Sequence, residues 1–348
     1  MISRNLQSVV SIGGGTGLSC LLKGLKLRVL DPPVIEAPAI RPWIARLTAV
    51  VTVTDDGGSS GRLRDELQVL PPGDIRNCMV ALSTDESLLS HLFQYRFTGS
   101  GHLQGHSFGN LFLTALTGVT GDFLEAIRVS SGVLAIKGRI YPATLHDVRL
   151  QAVLEDGSRI FGESHISKST SRIVSLSLSP RSCKPVPAVL DAIRTADLIT
   201  VGPGSLFTSL LPNLLVPGIA RALRKSPAMK VYICNLMSQP GETTGFSAAD
   251  HVLEIYKHTG DGLFDWMILN NQPISPMVLA RYRKQGSMPV VIDRERIAAL
   301  GLEVFEDALL ARGRVIRHDP DLLAEAVHET YHHSKTGRAS AKERVSKQ

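Results

Sequence analysis

Asp55 and Asp56 stand side by side where a β-branched apolar run ends, and the chain continues Gly57-Gly58-Ser59-Ser60-Gly61. Carboxylates beside bare backbone suit a phosphate-bearing ligand, because Mg²⁺ is usually held by one or two carboxylates together with phosphate oxygens and water. Neighbouring side chains leave an extended chain in opposite directions, so one of the pair is expected to face a site while the other caps or braces the turn. A second stretch has related chemistry. Val9-Val10-Ser11-Ile12-Gly13-Gly14-Gly15-Thr16-Gly17-Leu18 reads as strand, glycine turn and helix start, where free N–H groups attract an anion. A third strand breaks into Gly202-Pro203-Gly204-Ser205, which offers further N–H and O–H donors.

No single stretch identifies its ligand. The first glycine run lacks the G-x-G-x-x-G spacing and the acidic residue about 20 positions on that mark a dinucleotide site, and Lys23-Gly24 is the wrong order for a Walker A loop. A bare βα turn and a phosphate loop both fit it. For Asp55-Asp56 the bland counterpart is an Asx turn that uses its own side chains.

Other polar residues add to the pattern. Asp74 reads as the N-cap of a helix over 75–82, with Arg76 and Asn77 in its first turn. A cation there gains nothing from the helix dipole, so Arg76 is placed for an anion or for Asp74. Gly109 and Asn110 close a polar loop that also holds His102 and His106; with no third ligand nearby, loop histidines beside a site are favoured over a zinc centre. Asn235 and Asn270 end two strands, and Gln239 and Thr243 follow the first of them. An amide both donates and accepts, which suits a base, a sugar or a neighbouring loop. Arg317 could serve a phosphate or a surface carboxylate equally well.

The elements that must position these residues are α/β in rhythm. Apolar strands are expected at 47–53, 197–201, 230–234 and 266–269. Helices are expected at 18–28, 75–82, 86–96 with Asp85 as N-cap, 111–118, 121–131, 187–195 and 321–333, the last opened by Asp319 and Pro320. Between 139 and 178 the period changes to two, with a hairpin turning at Asp156-Gly157, so a small antiparallel subdomain interrupts the series. The fold class is therefore α/β, a mostly parallel sheet with helices on both faces and a small antiparallel β insertion. In such sheets ligands sit beyond the carboxyl ends of the strands, so several polar loops are delivered to one rim. A single nucleotide-binding domain is expected over 1–334, with 31–46 a proline-rich loop insertion and 335–348 a disordered basic tail.

Composition narrows the classes further. With 43% hydrophobic and 20% charged residues, the 348-residue chain is expected to be globular. It has no run of about 18 apolar residues and no signal peptide pattern, so a cytoplasmic protein without membrane insertion is expected. The net charge of +6 includes +4 from 335–348, where Lys335, Arg338, Lys342, Arg344 and Lys347 face only Glu343. That distribution describes a solvated tail, and no nucleic acid partner is expected. Cys20, Cys78, Cys183 and Cys234 are too scattered for a zinc knuckle and supply no disulfide framework. A homo-oligomer is compatible with all of this.

Taken together the motifs resemble those of the YvcK-type gluconeogenesis factors, within the wider CofD-like family of 2-phospho-L-lactate transferases. The resemblance runs from about residue 8 to 330. It is carried by Gly13 to Gly17, Thr54 to Arg64, Pro71 to Asn77, Gly109-Asn110, Gly202 to Ser205, Asn235 to Thr243 and Arg317-His318-Asp319. It implies a Rossmann-like fold binding a nucleotide diphosphate. YvcK-like members are UDP-sugar binders, for UDP-N-acetylglucosamine or UDP-glucose, that link carbon metabolism to cell-wall precursor supply and cell shape; the family's arginine for the nucleotide sugar falls on Arg317. CofD-like enzymes instead use Mg²⁺ to transfer a phospholactyl group from a guanosine diphosphate donor to a deazaflavin alcohol, and their catalytic acidic loop falls on Asp55-Asp56. Here that loop continues into the YvcK pattern, Gly57 to Arg62. The resemblance calls for no tightly bound organic cofactor.

Overall fold

The structure, a computed structural model, describes residues 7–30, 42–84 and 88–345, and the side chains up to residue 335. The expected N-cap Asp85 and most of the 31–46 loop lie outside the described residues.

Among the described residues ten strands form two sheets. They are β1 (Gln7–Gly13), β2 (Ile44–Val51), β3 (Arg139–Pro142), β4 (Arg149–Leu154), β5 (Arg159–Phe161), β6 (Ile173–Ser179), β7 (Leu198–Val201), β8 (Met229–Ile233), β9 (Trp266–Asn270) and β10 (Glu303–Asp307). The main sheet has the order β10-β9-β8-β7-β1-β2-β3 and every pairing in it is parallel. β4 is the centre of a small antiparallel sheet between β5 and β6. The strands after β1 build outward on one side as far as β3, and the later ones build outward on the other. The order therefore reverses between β1 and β7, which leaves a crevice beyond their carboxyl ends.

Side-chain alternation assigns the two faces of the main sheet. Val10, Ile12, Val50 and Tyr232 enter one apolar core, while Val9, Leu47, Ala49, Val51, Val231 and Ile233 enter the other. Burial on both faces accounts for the nearly continuous apolar strands. The first core is shared with Leu150, Ala152, Leu176 and Leu178 of the small sheet, so the insertion is packed against the body. The second is closed by helices α1 (Gly15–Lys26) and α3 (Gly73–Leu82), between which α2 (Gly58–Leu67) lies in the chain, chiefly through Leu18, Leu22, Ile75 and Met79, and by Leu323 and Val327 of the last helix.

Several boundaries differ from the sequence expectation. Residues 139–142 belong to the main sheet, since β3 pairs with Thr48 to Val51 of β2, and the antiparallel unit begins only at Arg149. Alternation in so short a strand does not reveal its partner; Ile140 and Pro142 are buried by the crossover that carries the chain to the sheet edge. The glycines after β1 and β2 start helices instead of forming loops: α1 begins at Gly15 (φ +61°) and α2 at Gly58 (φ +47°). Asp74 is not an N-cap, because α3 already begins at Gly73 after Pro72. The last helix is continuous from Pro320 to Val345, into the stretch expected to be a disordered tail. Its start matches expectation, Asp319 Oδ1 accepting the Asp321 and Leu322 N–H groups at 3.0 and 3.1 Å.

Candidate functional site: a polar cleft at the strand ends

The crevice between the β1 and β7 loops opens into a cleft of about 1500 Å³. Its floor is the close contact of two glycine turns. A Cβ on Gly17 would lie 2.3 Å from the Pro203 carbonyl oxygen, so only glycine lets α1 start against the Gly202–Ser205 loop. Asn213 locks the same floor from beneath, its Nδ2 donating to Gly13 O at 3.0 Å and Ser209 O at 2.8 Å.

The α1 N-terminus is partly occupied by the protein's own anion. The Asp74 carboxylate lies where a Cβ on Gly14 would come within 2.7 Å of Oδ2. It accepts the Gly15 N–H, leaving the Thr16 and Gly17 N–H groups, which have no partner in the first helical turn, toward the cleft. Asp55 stands beside it. Its Oδ1 accepts the Gly57 N–H at 2.9 Å, and its Oδ2 would be 2.6 Å from a Cβ on Gly73. Glu163, from the antiparallel insertion, completes an acidic wall. Burial and the neighbouring Asp55 push the Asp74 carboxyl up to about 7. Burial, followed by Asp55 and Asp56, pushes Glu163 up to about 7 as well.

Across the cleft the charge is reversed. Lys23 and Arg317 both line it and both lower the pKa of the half-buried thiol of Cys20, which burial nevertheless raises to about 11. Among the described residues neither cation has a hydrogen-bond or ion-pair partner. A third side is a chain of amides and hydroxyls. Asn235 Oδ1 accepts the Gly204 N–H at 3.1 Å, Gln239 Nε2 donates to Ser205 Oγ at 2.7 Å, and Asn235 and Gln239 meet at 3.5 Å. Behind them Glu242 accepts from Phe207 N and Thr208 Oγ1, each at 3.3 Å, and burial raises its carboxyl to about 7.

The cleft thus unites Gly14, Gly15, Thr16, Gly17, Asp55, Asp74, Asn77, Gly204, Ser205, Asn235, Gln239 and Arg317. The other residues singled out in the sequence stand behind it or away from it. Asp56 turns from its neighbour to accept the Ser164 N–H at 2.8 Å, bracing the insertion. Ser59, Ser60 and Asn110 form a buried knot in which Asn110 Nδ2 donates to Ser59 Oγ at 3.2 Å and His106 Nδ1 meets Ser59 Oγ at 3.0 Å. Arg76 donates to Ser107 Oγ at 2.7 Å and Asn77 Oδ1 at 2.6 Å, and Gly109 leaves room for its stem. Gly57 and Gly58 begin α2, Gly202 (φ +89°) donates to Ile12 O, and Thr243 Oγ1 accepts the Gln239 N–H. Asn270 is spent on loops, donating to Gln272 O and accepting from Leu309 N. Lys23 and Glu163 were not singled out. Lys23 shares a helical face with Thr16 and Cys20 through the spacing of four and three, a signal that periodicity carries. Glu163 has no such signal.

Among the described residues no three His, Cys, Asp or Glu side chains are grouped as metal ligands. Asp55 with Asp74 or Glu163 still fits Mg²⁺, which needs few protein oxygens when phosphate and water supply the rest.

A doubly wound parallel sheet with a two-signed polar cleft at its switch point defines an α/β protein of Rossmann-like class. A family model described as 2-phospho-L-lactate transferase CofD matches residues 9–310. The gluconeogenesis factor of Bacillus subtilis strain 168 is 47% identical over 317 residues, covering 91% of this chain and 95% of that protein. That of Halalkalibacterium halodurans is 46% identical over 324 residues, covering 93% and 96%. A crystal structure of a UPF0052 family member from Bacillus halodurans superposes with a TM-score of 0.86 at 46% identity, covering 93% of this chain and 99% of that one. The chain belongs to the CofD family, alongside its gluconeogenesis factors.

Proposed function

We propose that the cleft binds a nucleotide sugar, UDP-N-acetylglucosamine or UDP-glucose, and that the protein is a regulator linking carbon metabolism to cell-wall precursor supply and cell shape. The observation that carries this reading is that Lys23 and Arg317, two cations without side-chain partners among the described residues, line the same cleft as the N–H groups at the start of α1. A diphosphate would lie between them, with Arg317 able to grip two oxygens. Asp55 and Asp74, with Glu163 beside them, would hold Mg²⁺ or sugar hydroxyls. A cation there would offset the burial and the repulsion from neighbouring carboxylates that raise Asp74 and Glu163. Asn235 and Gln239 would meet the base or ribose through their amides. The gluconeogenesis factor names of the relatives support the metabolic side of the proposal.

Calorimetric titration with both UDP-sugars, with and without Mg²⁺, tests it. Saturable binding is expected, and Arg317→Ala should weaken it by about tenfold or more, since a charge-assisted contact contributes about 1.5–3 kcal/mol. Absence of binding under all conditions would overturn the reading. The CofD family description favours a second function, Mg²⁺-dependent transfer of a phospholactyl-type group from a nucleotide diphosphate donor to an acceptor hydroxyl. Asp55 would then stand at the reacting phosphate. Product from a deazaflavin alcohol and guanosine-diphosphate-activated phospholactate, lost in Asp55→Asn, would establish it.

A further inference from the structure

On the last helix, away from the cleft, the chain reads His328-Glu329-Thr330-Tyr331-His332. The two histidines are one turn apart and their Nε2 atoms are 2.9 Å from each other. Their ring centroids are 4.4 Å apart and the planes are nearly perpendicular, at 85°. Two imidazoles sharing a proton head-on would put their centroids about 5 Å apart at this nitrogen separation. Rings aimed at one point about 2.05 Å beyond each nitrogen, meeting there at a right angle, would have nitrogens about 2.9 Å and centroids about 4.5 Å apart. The pair is in hydrogen-bond contact and has a centroid separation nearer the second geometry.

The surroundings hold it there. Trp43 stacks on His328 with centroids 4.8 Å apart and planes 29° from parallel. Glu325 Oε1 lies 3.7 Å from His328 Nδ1, and Glu325 is in turn held by the buried Arg28 at 3.6 Å. A carboxylate behind the distal ring nitrogen is the usual support of a metal-bound histidine, since it fixes the tautomer and orientation. His332 is exposed, so water reaches the remaining coordination positions.

We propose that His328 and His332 form a transition-metal site distinct from the nucleotide cleft, taking Cu²⁺ or Ni²⁺ at a right angle with water completing the coordination. Tetrahedral Zn²⁺ would need its nitrogens about 3.3 Å apart and fits less well. The His-Glu-x-x-His spacing is also that of zinc peptidases, where the glutamate is a general base. A peptidase needs a third ligand, and among the described residues no third His, Cys, Asp or Glu joins the pair.

Titration of the untagged full-length chain with CuSO₄ or NiCl₂, following tryptophan emission and heat, tests the proposal. Cu²⁺ should quench emission through Trp43, saturating near one equivalent, with an electron paramagnetic resonance spectrum showing two imidazole nitrogens. His332→Ala should weaken binding about tenfold or more, and Glu325→Gln about tenfold. His333→Ala, whose ring lies against Phe305 at 6.0 Å, should bind as the parent does. Thermal unfolding of each metal-free variant confirms the fold, and His332→Gln replaces His332→Ala if the latter is destabilised. No saturable quenching, undiminished affinity in a folded His332 variant, or a spectrum with a single nitrogen would overturn the assignment.

Discussion

Replacing Asp74 by Asn is expected to stabilise the protein at pH 8 while flattening its pH dependence. The carboxylate is wedged against Gly14, next to Asp55, with the Gly15 N–H and, more weakly, the Arg76 charge as compensation. An Asn side chain keeps an oxygen for that bond and removes the charge. The rise from 3.8 to about 7 amounts to about three pH units, or about 4 kcal/mol against the ionised form. Relaxation and water in the cleft reduce this, so a gain of about 2–4 kcal/mol is expected at pH 8. The sign follows from linkage: between about 4 and 7 the native state keeps a proton that the unfolded chain has lost, so parent stability falls as pH rises through this window. Asp74→Asn should lose most of that slope, and also part of the slope due to Glu163, which the Asp74 charge raises. Urea unfolding at pH 5 and pH 8 measures both. A variant no more stable than the parent at pH 8, or one with an unchanged slope, would refute the assignment of a repelled, desolvated acid at the helix N-terminus.

Gly17→Ala should destabilise the fold by about 1–3 kcal/mol, measured by urea unfolding, because the new methyl meets the Pro203 backbone and no flexible side chain can yield. Phe207→Ala should cost about 3–5 kcal/mol in the same assay, the ring being fully buried. Cys20, with its thiol raised to about 11, should alkylate more slowly at pH 8 than a free cysteine, and UDP-N-acetylglucosamine should slow it further if the ligand covers Lys23 and Arg317. Ligand at about 100 times its dissociation constant should raise stability by about 2.7 kcal/mol, visible as a thermal shift that Arg317→Ala reduces at fixed ligand concentration.

The local part of the site was legible because its signals are local. A strand that breaks into glycine has few other uses, and parallel strands deliver their ends to one rim, so Gly14 to Gly17, Asp55, Gly204 and Asn235 could be grouped before any coordinates. The expected division of labour at Asp55-Asp56 holds only in part: the two side chains diverge, but Asp55 both lines the cleft and braces its own turn through the Gly57 N–H, as an Asx turn does, while Asp56 braces the insertion at Ser164. Where the reading overreached, it took a polar type for a polar role. Asn270 ends a strand like Asn235 yet satisfies loop backbone, and Ser59, Ser60 and Asn110 satisfy one another.

The sequence by itself determined the strands, the glycine turns and the α/β order, because periodicity and backbone freedom act over a few residues. Only the tertiary structure decided which polar groups share the cleft. Asp74 reaches Gly14 and Gly15 because α3 packs on α1, and Glu163 joins the acidic wall because the small sheet is anchored in the first core. Lys23 and Arg317, nearly 300 residues apart, line one cleft because the segment after β10 and the last helix pack against α1. Charge and burial at the site follow from those long-range contacts, which no local pattern encodes.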